Sequence, residues 1–233
     1  EGLLASGRRG RRRLPSTGTR LAAIRQPLGR QGPLAGLRVV VTAGGTQEPL
    51  DPVRPLTNRS SGRMGYALAE AARDRGATVT LISAPTCLER LPGVECVPVR
   101  SAEDMAQAVL SRRSETDVLV MAAAVADYRP ATQAEHKIKK GEGNLVIELE
   151  RTRDILAAVA DLRTDGWPRL VVGFAAETAD LLQNAAGKLA RKRLDLLVAN
   201  DVSAPDAGFE VADNRVVLLA PDAEPEALPL MSK

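Results

Sequence analysis

Two clusters of small residues, Gly44-Gly45-Thr46 and Ser60-Ser61-Gly62, bracket Arg54 and Asn58 within one polar segment. Backbone N–H groups at such residues approach an anion without obstruction by a Cβ, and a guanidinium and a carboxamide between them add donors to oxygen. The chemistry that suits this set is the binding and polarisation of phosphate or acyl oxygens. Farther on, Met121, Ala122 and Ala123 lead to Asp127. Small residues there let a flat base or a ribose lie against the backbone, and the carboxylate can take a ribose hydroxyl or a divalent cation. Lys137-Ile138-Lys139-Lys140-Gly141 concentrates cations on a short stretch, and Lys188 and Lys192 share a helical face by their i,i+4 spacing, where they can neutralise a triphosphate. Between these groups, Gly173-Phe174-Ala175-Ala176-Glu177-Thr178 ends an apolar run where a ligand can lie.

Several chemistries are excluded. The segment 42–62 carries neither G-x-G-x-x-G nor G-x-x-x-x-G-K-[ST], so neither common phosphate fingerprint applies. His136 is the sole histidine and sits between Glu135 and Lys137, as in a solvated turn, which disfavours Ser-His-Asp and Cys-His catalysis. Cys87 and Cys96 have neither metal-ligand nor C-x-x-C spacing, so no zinc site or disulfide framework is expected.

The elements that must position these residues read as an α/β alternation. Apolar, β-branched runs predict strands at Leu37–Thr42, Thr78–Ser83, Val94–Val99, Asp117–Met121, Asn144–Leu149, Leu170–Phe174, Asp195–Ala199 and Asn214–Ala220. Helical periodicity predicts Gly62–Arg75, capped by Ser60 or Ser61, then Ser101–Arg112 with a Ser101/Asp104 capping box, Ile155–Leu162 and Thr178–Arg193. Runs such as Val39-Val40-Val41 and Val118-Leu119-Val120-Met121 lack alternation, as expected of strands buried on both faces. The fold class is therefore α/β, a doubly wound, mostly parallel Rossmann-like sheet with a flap excursion carrying Lys137. Ligands in such sheets lie beyond the carboxyl ends of the strands, which gathers 42–62, 121–129, 174–178 and 199–203 around one crevice. A loop of about twenty residues after the first strand is itself a functional signal. A hairpin with Asp213-Asn214 at its turn is expected near the C-terminal end.

The chain has 233 residues, a net charge of +3 and only 2% aromatic residues, so aliphatic side chains must fill the core. Its basic excess is local: residues 1–34 hold eight arginines against Glu1, while the remainder is net acidic. Residues 1–34 read as a basic linker or tail and 35–233 as the domain that carries these motifs. Without interleaved aromatics the tail is not read as a nucleic-acid binder, and Pro15, Pro27 and Pro33 break any export signal. No segment reaches the roughly 18–20 apolar residues of a membrane span, so a cytoplasmic protein without membrane or nucleic-acid partners is expected.

Gly-Gly-Thr-x-Glu-Pro-x-Asp-Pro-Val-Arg at 44–54, Asn58-x-Ser-Ser-Gly, Ala-Ala-Val-Ala-Asp-Tyr-Arg-Pro at 123–130, Lys-Ile-Lys-Lys at 137–140, Gly-Phe-Ala-Ala-Glu-Thr at 173–178 and Val-Ala-Asn-Asp at 198–201 together closely resemble bacterial phosphopantothenoylcysteine synthetase. That enzyme is usually the C-terminal half of the bifunctional coenzyme A biosynthesis flavoprotein. The resemblance implies a ligase that uses CTP and Mg²⁺ to join 4′-phosphopantothenate to cysteine through an acyl-cytidylate, with Asn58, Arg54 and Lys137 as its candidate catalytic residues. It further implies CTP contacts at Met121, Ala122, Ala123, Asp127, Lys137, Arg153, Asp154, Ile155, Leu156, Phe174, Lys188 and Lys192, with Asp127 as the metal ligand. Gly44, Gly45, Thr46, Ser60, Ser61 and Gly62 would hold acyl or phosphate oxygens. A homodimer is implied, with the lysine flap reaching the neighbouring subunit. Arg153 stands where relatives often carry Pro, and Arg63 where Lys is frequent. The flavin-dependent decarboxylase half is not recognised in these residues, so no FMN is expected in this chain, and a separate decarboxylase is an open partner. The competing readings are an NAD(P)-dependent oxidoreductase, disfavoured because no acidic residue ends the strand Thr78–Ser83, and a non-catalytic nucleotide-binding relative.

Overall fold

The computed structural model describes residues 2–3, 9–10, 16–141, 143–177, 181–201 and 213–232. In chain order the principal elements are α1 (Thr17–Gly29), β1 (Arg38–Ala43), β2 (Gln47–Pro49), β3 (Pro55–Thr57), α2 (Arg63–Asp74), β4 (Thr78–Ser83), β5 (Glu95–Pro98) and α3 (Ala102–Leu110). They continue with β6 (Val118–Met121), β7 (Tyr128–Pro130), β8 (Leu149–Arg151), α4 (Ile155–Leu162), β9 (Leu170–Glu177), α5 (Leu181–Arg191), β10 (Leu196–Asp201), β11 (Val216–Leu219) and β12 (Glu226–Ala227).

An eight-stranded sheet runs in the order β12-β11-β10-β9-β6-β1-β4-β5. The strands from β10 to β5 are mutually parallel, and β11 and β12 add antiparallel at one edge. Counted along the chain, the six parallel strands have the 3-2-1-4-5-6 order of a doubly wound dinucleotide-type sheet, whose winding reverses between β1 and β6. The non-alternating runs are explained by burial on both faces. Val40, Ile82, Leu119, Val171 and Leu197 pack with Met105, Val109, Ile155, Val159 and Ala185 from α3, α4 and α5. Val39, Val41, Val79 and Leu81 pack on the other face with Tyr66, Ala69 and Ala72 of α2.

Local expectations differ in five places. Ser101 caps α3 with the expected reciprocal box, but the cap of α2 is Gly62 rather than Ser60 or Ser61. The long loop after β1 contains an antiparallel hairpin, β2 with β3. The strand expected at 144–149 appears only as Leu149–Arg151, paired with Tyr128–Pro130. Asp213-Asn214, expected at a turn, pairs as a short strand with Met231–Ser232. Finally, residues 17–29, expected as linker, form α1, which buries Ala22 and sets Gly29 against the C-terminal end of α2, where a Cβ would fall 2.0 Å from Asp74 O. Most of the arginine cluster at 8–13, Thr178 and the 208–212 part of the expected hairpin lie outside the described residues.

Leu197 is fully buried at the middle of β10 among α5, β9 and β11. Leu197→Ala is expected to destabilise the fold by about 2–5 kcal/mol, read as a lowered urea midpoint at unchanged m value.

A crevice at the strand ends as candidate functional site

Where β1 and β6 diverge, the connections that follow them are knitted together. Gly45 bridges Ala124, Ala124 N–H donates to Gly44 O at 2.8 Å, and Thr46 N–H returns to Ala124 O at 3.2 Å. The buried Thr46 hydroxyl accepts Ala126 N–H at 2.9 Å. Asn58, at the end of the β2–β3 hairpin, donates Nδ2 to Val125 O at 3.0 Å. Because a backbone carbonyl can only accept, this bond fixes which end of the carboxamide is which and leaves the second N–H of the amide open.

These contacts explain the first glycine pair. A Cβ at Gly45 would lie 2.5 Å from Asn58 O, so glycine is what lets the hairpin return against β1 and place Asn58. Gly62 has φ +75, and a Cβ there would meet Thr86 Cγ2 at 2.7 Å. As cap of α2 it offers no side-chain oxygen, so the first turn keeps its N–H groups for an outside acceptor.

Beyond these strand ends lies a cavity of about 730 Å³. Asn58, Ser60, Ser61, Gly62, Met121, Ala122, Ala123, Asp127, Arg153, Asp154, Ile155, Leu156, Phe174, Lys188 and Lys192 all line it, as the sequence reading expected of one crevice. Gly44, Gly45, Thr46, Arg54 and Lys137 do not. The first three sit behind the wall and shape it. Arg54 is committed elsewhere: its Nε and Nη2 bind Asp51 Oδ2 at 3.0 and 2.5 Å, and Nη2 also donates to Ile138 O at 2.7 Å. These bonds use Nε and Nη2 of a side chain that is 43% exposed, and none of them involves Nη1. Lys137 is exposed on the segment that follows.

Tyr128 and Asn200, from the segments 121–129 and 199–203 expected around the crevice, also line the cavity, as do Arg151 and Thr152, which the sequence did not point to. Asn200 Oδ1 is buried with no hydrogen-bond partner among the described residues. Such an orphaned acceptor costs about 1–3 kcal/mol, a penalty that a donor in the ligand would relieve. The only sequence signal for it is the polar Asn-Asp pair ending the apolar run of β10. Asp51, also missed, had a stronger one: Asp-Pro-Val-Arg forms a turn in which Asp51 Oδ1 accepts Val53 and Arg54 N–H at 2.8 Å each.

The site is cationic on the α5 side. Lys188 Nζ donates to Phe174 O at 2.7 Å, and Lys192 pairs with Asp154, whose other oxygen caps α4 through Ala157 N–H at 3.0 Å. Burial pushes the Lys192 ammonium below its ordinary 10.5, with the Asp127 charge opposing. A metal would find Asp127 and Asp154 as carboxylates, and no group of three or more His, Cys, Asp or Glu side chains placed to hold one occurs among the described residues. That donor set fits a hard divalent cation held mainly by ligand phosphates and water with one carboxylate, and does not fit an all-protein cage.

A doubly wound sheet with a lysine-walled crevice at its switch point defines the class: an α/β protein with a ligand-sized cavity beyond its strand ends. Residues 34–233 match the DNA/pantothenate metabolism flavoprotein C-terminal domain, and the chain belongs to that family. It is 47% identical over 236 residues to the coenzyme A biosynthesis bifunctional protein CoaBC of Bacillus subtilis, across 100% of this chain and 57% of that protein. Identity to CoaBC of Mycobacterium tuberculosis H37Rv is 53% over 209 residues, 86% of this chain and 50% of that one. The chain therefore spans about half the length of these curated relatives. The crystal structure of a CoaBC C-terminal domain superposes with a TM-score of 0.71 at 42% identity, covering 84% of this chain and 88% of that chain. A Cab2 variant complexed with phosphopantothenate-cysteine shares the fold, with a TM-score of 0.67 at 18% identity over 91% of this chain and 85% of the other.

If the lysine wall is an anion site, tripolyphosphate will raise the melting temperature of the chain. Replacing either Lys188 or Lys192 by Ala should weaken its binding about 10–100-fold in calorimetry, each lost charged hydrogen bond being worth about 1.5–3 kcal/mol. Unchanged affinity would remove the lysines from anion binding.

Proposed function

We propose that this chain is a CTP-dependent phosphopantothenate–cysteine ligase of coenzyme A biosynthesis. The observation that carries the reading is the placement of Asn58, Asp127, Phe174, Lys188 and Lys192 around one cavity beyond the strand ends. Membership of the pantothenate-metabolism family, and the CoaBC proteins to which the chain is similar, support the substrate class.

In this reading the triphosphate lies along Lys188 and Lys192 and the N-terminal turn of α4, and the nucleoside rests on Met121–Ala123 with Phe174 beside it. Asp127 takes a ribose hydroxyl or, with phosphate oxygens and water, Mg²⁺. Bound there, the cation withdraws charge from the phosphates, which lowers the repulsion that the incoming carboxylate meets. A carboxylate oxygen of 4′-phosphopantothenate attacks the α-phosphorus, a P–O bond forms, and the bridging α–β P–O bond breaks to release pyrophosphate. The amine of cysteine then attacks the acyl carbon and loses a proton as the C–O bond to CMP breaks. Negative charge grows on the acyl oxygen in that second step. Asn58, its carboxamide oriented by Val125 O, has a remaining N–H with which to stabilise it, and the uncapped N–H groups of α2 stand beside it.

The active form in this proposal is a homodimer. Val146 is 88% exposed and Leu145 54%, with Ile147, Leu149 and Tyr128 also exposed beside them, an apolar strip on the flap that a second copy would cover. Other members of the same proposal are a cytoplasmic location, which accords with the absence among the described residues of a helix able to cross a membrane, and a decarboxylase supplied outside residues 34–233.

Two outcomes test the reading. Asn58→Asp should release pyrophosphate from CTP and 4′-phosphopantothenate yet form product at least about 100-fold more slowly, because a carboxylate repels the oxyanion; product at the wild-type rate would exclude Asn58 from the second step. CTP affinity should also weaken as pH rises through the lowered Lys192 pKa, since the neutral amine no longer attracts phosphate. Lys192→Arg, which stays charged, should move that loss to higher pH in a titration series.

A further inference from the structure

The sequence from 131 to 148 forms neither helix nor strand among its described residues, yet it carries Lys137, Lys139 and Lys140. What fixes this flap is a small set of bonds to the β2–β3 hairpin. Ala134 N–H donates to Leu50 O at 3.0 Å, Ile138 N–H donates to Asp51 Oδ2 at 3.1 Å, and Arg54 Nη2 donates to Ile138 O at 2.7 Å. The peptide groups flanking Ile138 are thus held from both sides, one residue away from Lys137.

Asp51 is the centre of that set. Its side chain is fully buried, and its two oxygens accept from Val53 N, Arg54 N, Arg54 Nε, Arg54 Nη2 and Ile138 N. Four of those donors lie within the turn and would be satisfied without the flap. The fifth comes from 87 residues away along the chain, and no other side chain supplies an acceptor for it. The Arg54 guanidinium, and after it the surrounding N–H groups against the cost of burial, hold the Asp51 carboxyl well below the usual carboxylate range, so the clamp is ionised at neutral pH. The same hairpin carries Asn58 at its far end, so one buried carboxylate joins the segment that bears Asn58 to the segment that bears the flap lysines.

We propose that Asp51, with Arg54 as its partner, is a positioning residue that acts through Lys137: by holding Ile138 it fixes where the lysine flap leaves the body and so where Lys137 meets the triphosphate. The inference rests on the ligase reading above and adds a residue and a role to it. The triphosphate concerned is the one in the same crevice or in that of a second copy, because the clamp sets the origin of the flap in either arrangement.

The test uses the whole chain with CTP, Mg²⁺, 4′-phosphopantothenate and cysteine, together with hydrogen exchange of the amides at 134–140. Asp51→Asn removes the carboxylate, while Ile138→Pro deletes the N–H that reaches it, at the cost of a fixed φ at 138 and a restricted backbone at Lys137, and leaves the hairpin turn intact. Both variants should raise exchange at 134–140 by about 10-fold or more. Both should raise KM for CTP by about 10-fold with kcat at saturation changed by less than about 3-fold, since a mispositioned cation is lost from ground state and transition state alike. In a Lys137→Gln background Asp51→Asn should add less than about 2-fold to KM, because the route of its effect is already gone. Effects that multiply in the double variant, or exchange that does not change, would overturn the proposal. Failure of the wild-type chain to release pyrophosphate from CTP would instead overturn the ligase reading, and the exchange arm would still decide whether Asp51 holds the flap.

Discussion

The reversal of winding between β1 and β6 is the constraint on which the rest depends. Parallel strands on either side of it send their connections to opposite faces, so the strand ends separate and leave a crevice that no helix fills. Two connections would otherwise hang free over that gap. They are instead sewn to each other by the Gly45–Ala124 bridge, the Thr46 hydroxyl and the Asn58 carboxamide. The wall of the site and the placement of Asn58 are thus one structure, and it requires a residue without a Cβ at 45.

The cations obey a different logic. Lys188 projects from α5, which is anchored by Ala185 and Leu189 on the sheet, and Lys192 follows directly on its last residue, its N–H donating to Lys188 O at 3.0 Å, so the i,i+4 spacing of the pair comes from the helical turn. Each already has a partner within the chain, Phe174 O for Lys188 and Asp154 for Lys192. A phosphate ligand must therefore exchange with those partners rather than meet naked charge. The exchange favours a ligand with several negative oxygens over one with a single charge, because only the former replaces both contacts at once.

What the sequence made legible follows from how strongly each feature is written in local pattern. The parallel strands were readable because burial on both faces demands unbroken apolar runs, and α3 because Ser101 and Asp104 form a reciprocal cap. The hairpin Gln47–Pro49 with Pro55–Thr57 was not, since three-residue strands with prolines at their ends show neither alternation nor an apolar face. Gly62 displaced the two serines as the cap of α2 because the turn into the helix needs a left-handed residue, a requirement invisible without the path of the chain. Arg54 shows the opposite case: a guanidinium near small residues looks like an anion ligand, and only the structure shows that its Nε and Nη2 also tie Asp51 to Ile138 O.

The flap shows most clearly where pattern and packing part. Leu145, Val146 and Ile147 have the composition of a strand and were read as one, yet all three are exposed and the pairing begins only at Leu149. A β-branched run forms a strand when it has a ladder to join and a surface to cover, and this protomer offers neither beyond Tyr128–Pro130. The local sequence is therefore not in conflict with the fold so much as unfinished by it. A second copy laid against this strip would supply the missing surface while leaving the base of the flap where Asp51 and Arg54 hold it. On the two proposals above, the tether would fix the origin of the lysines and a covered apolar strip their reach.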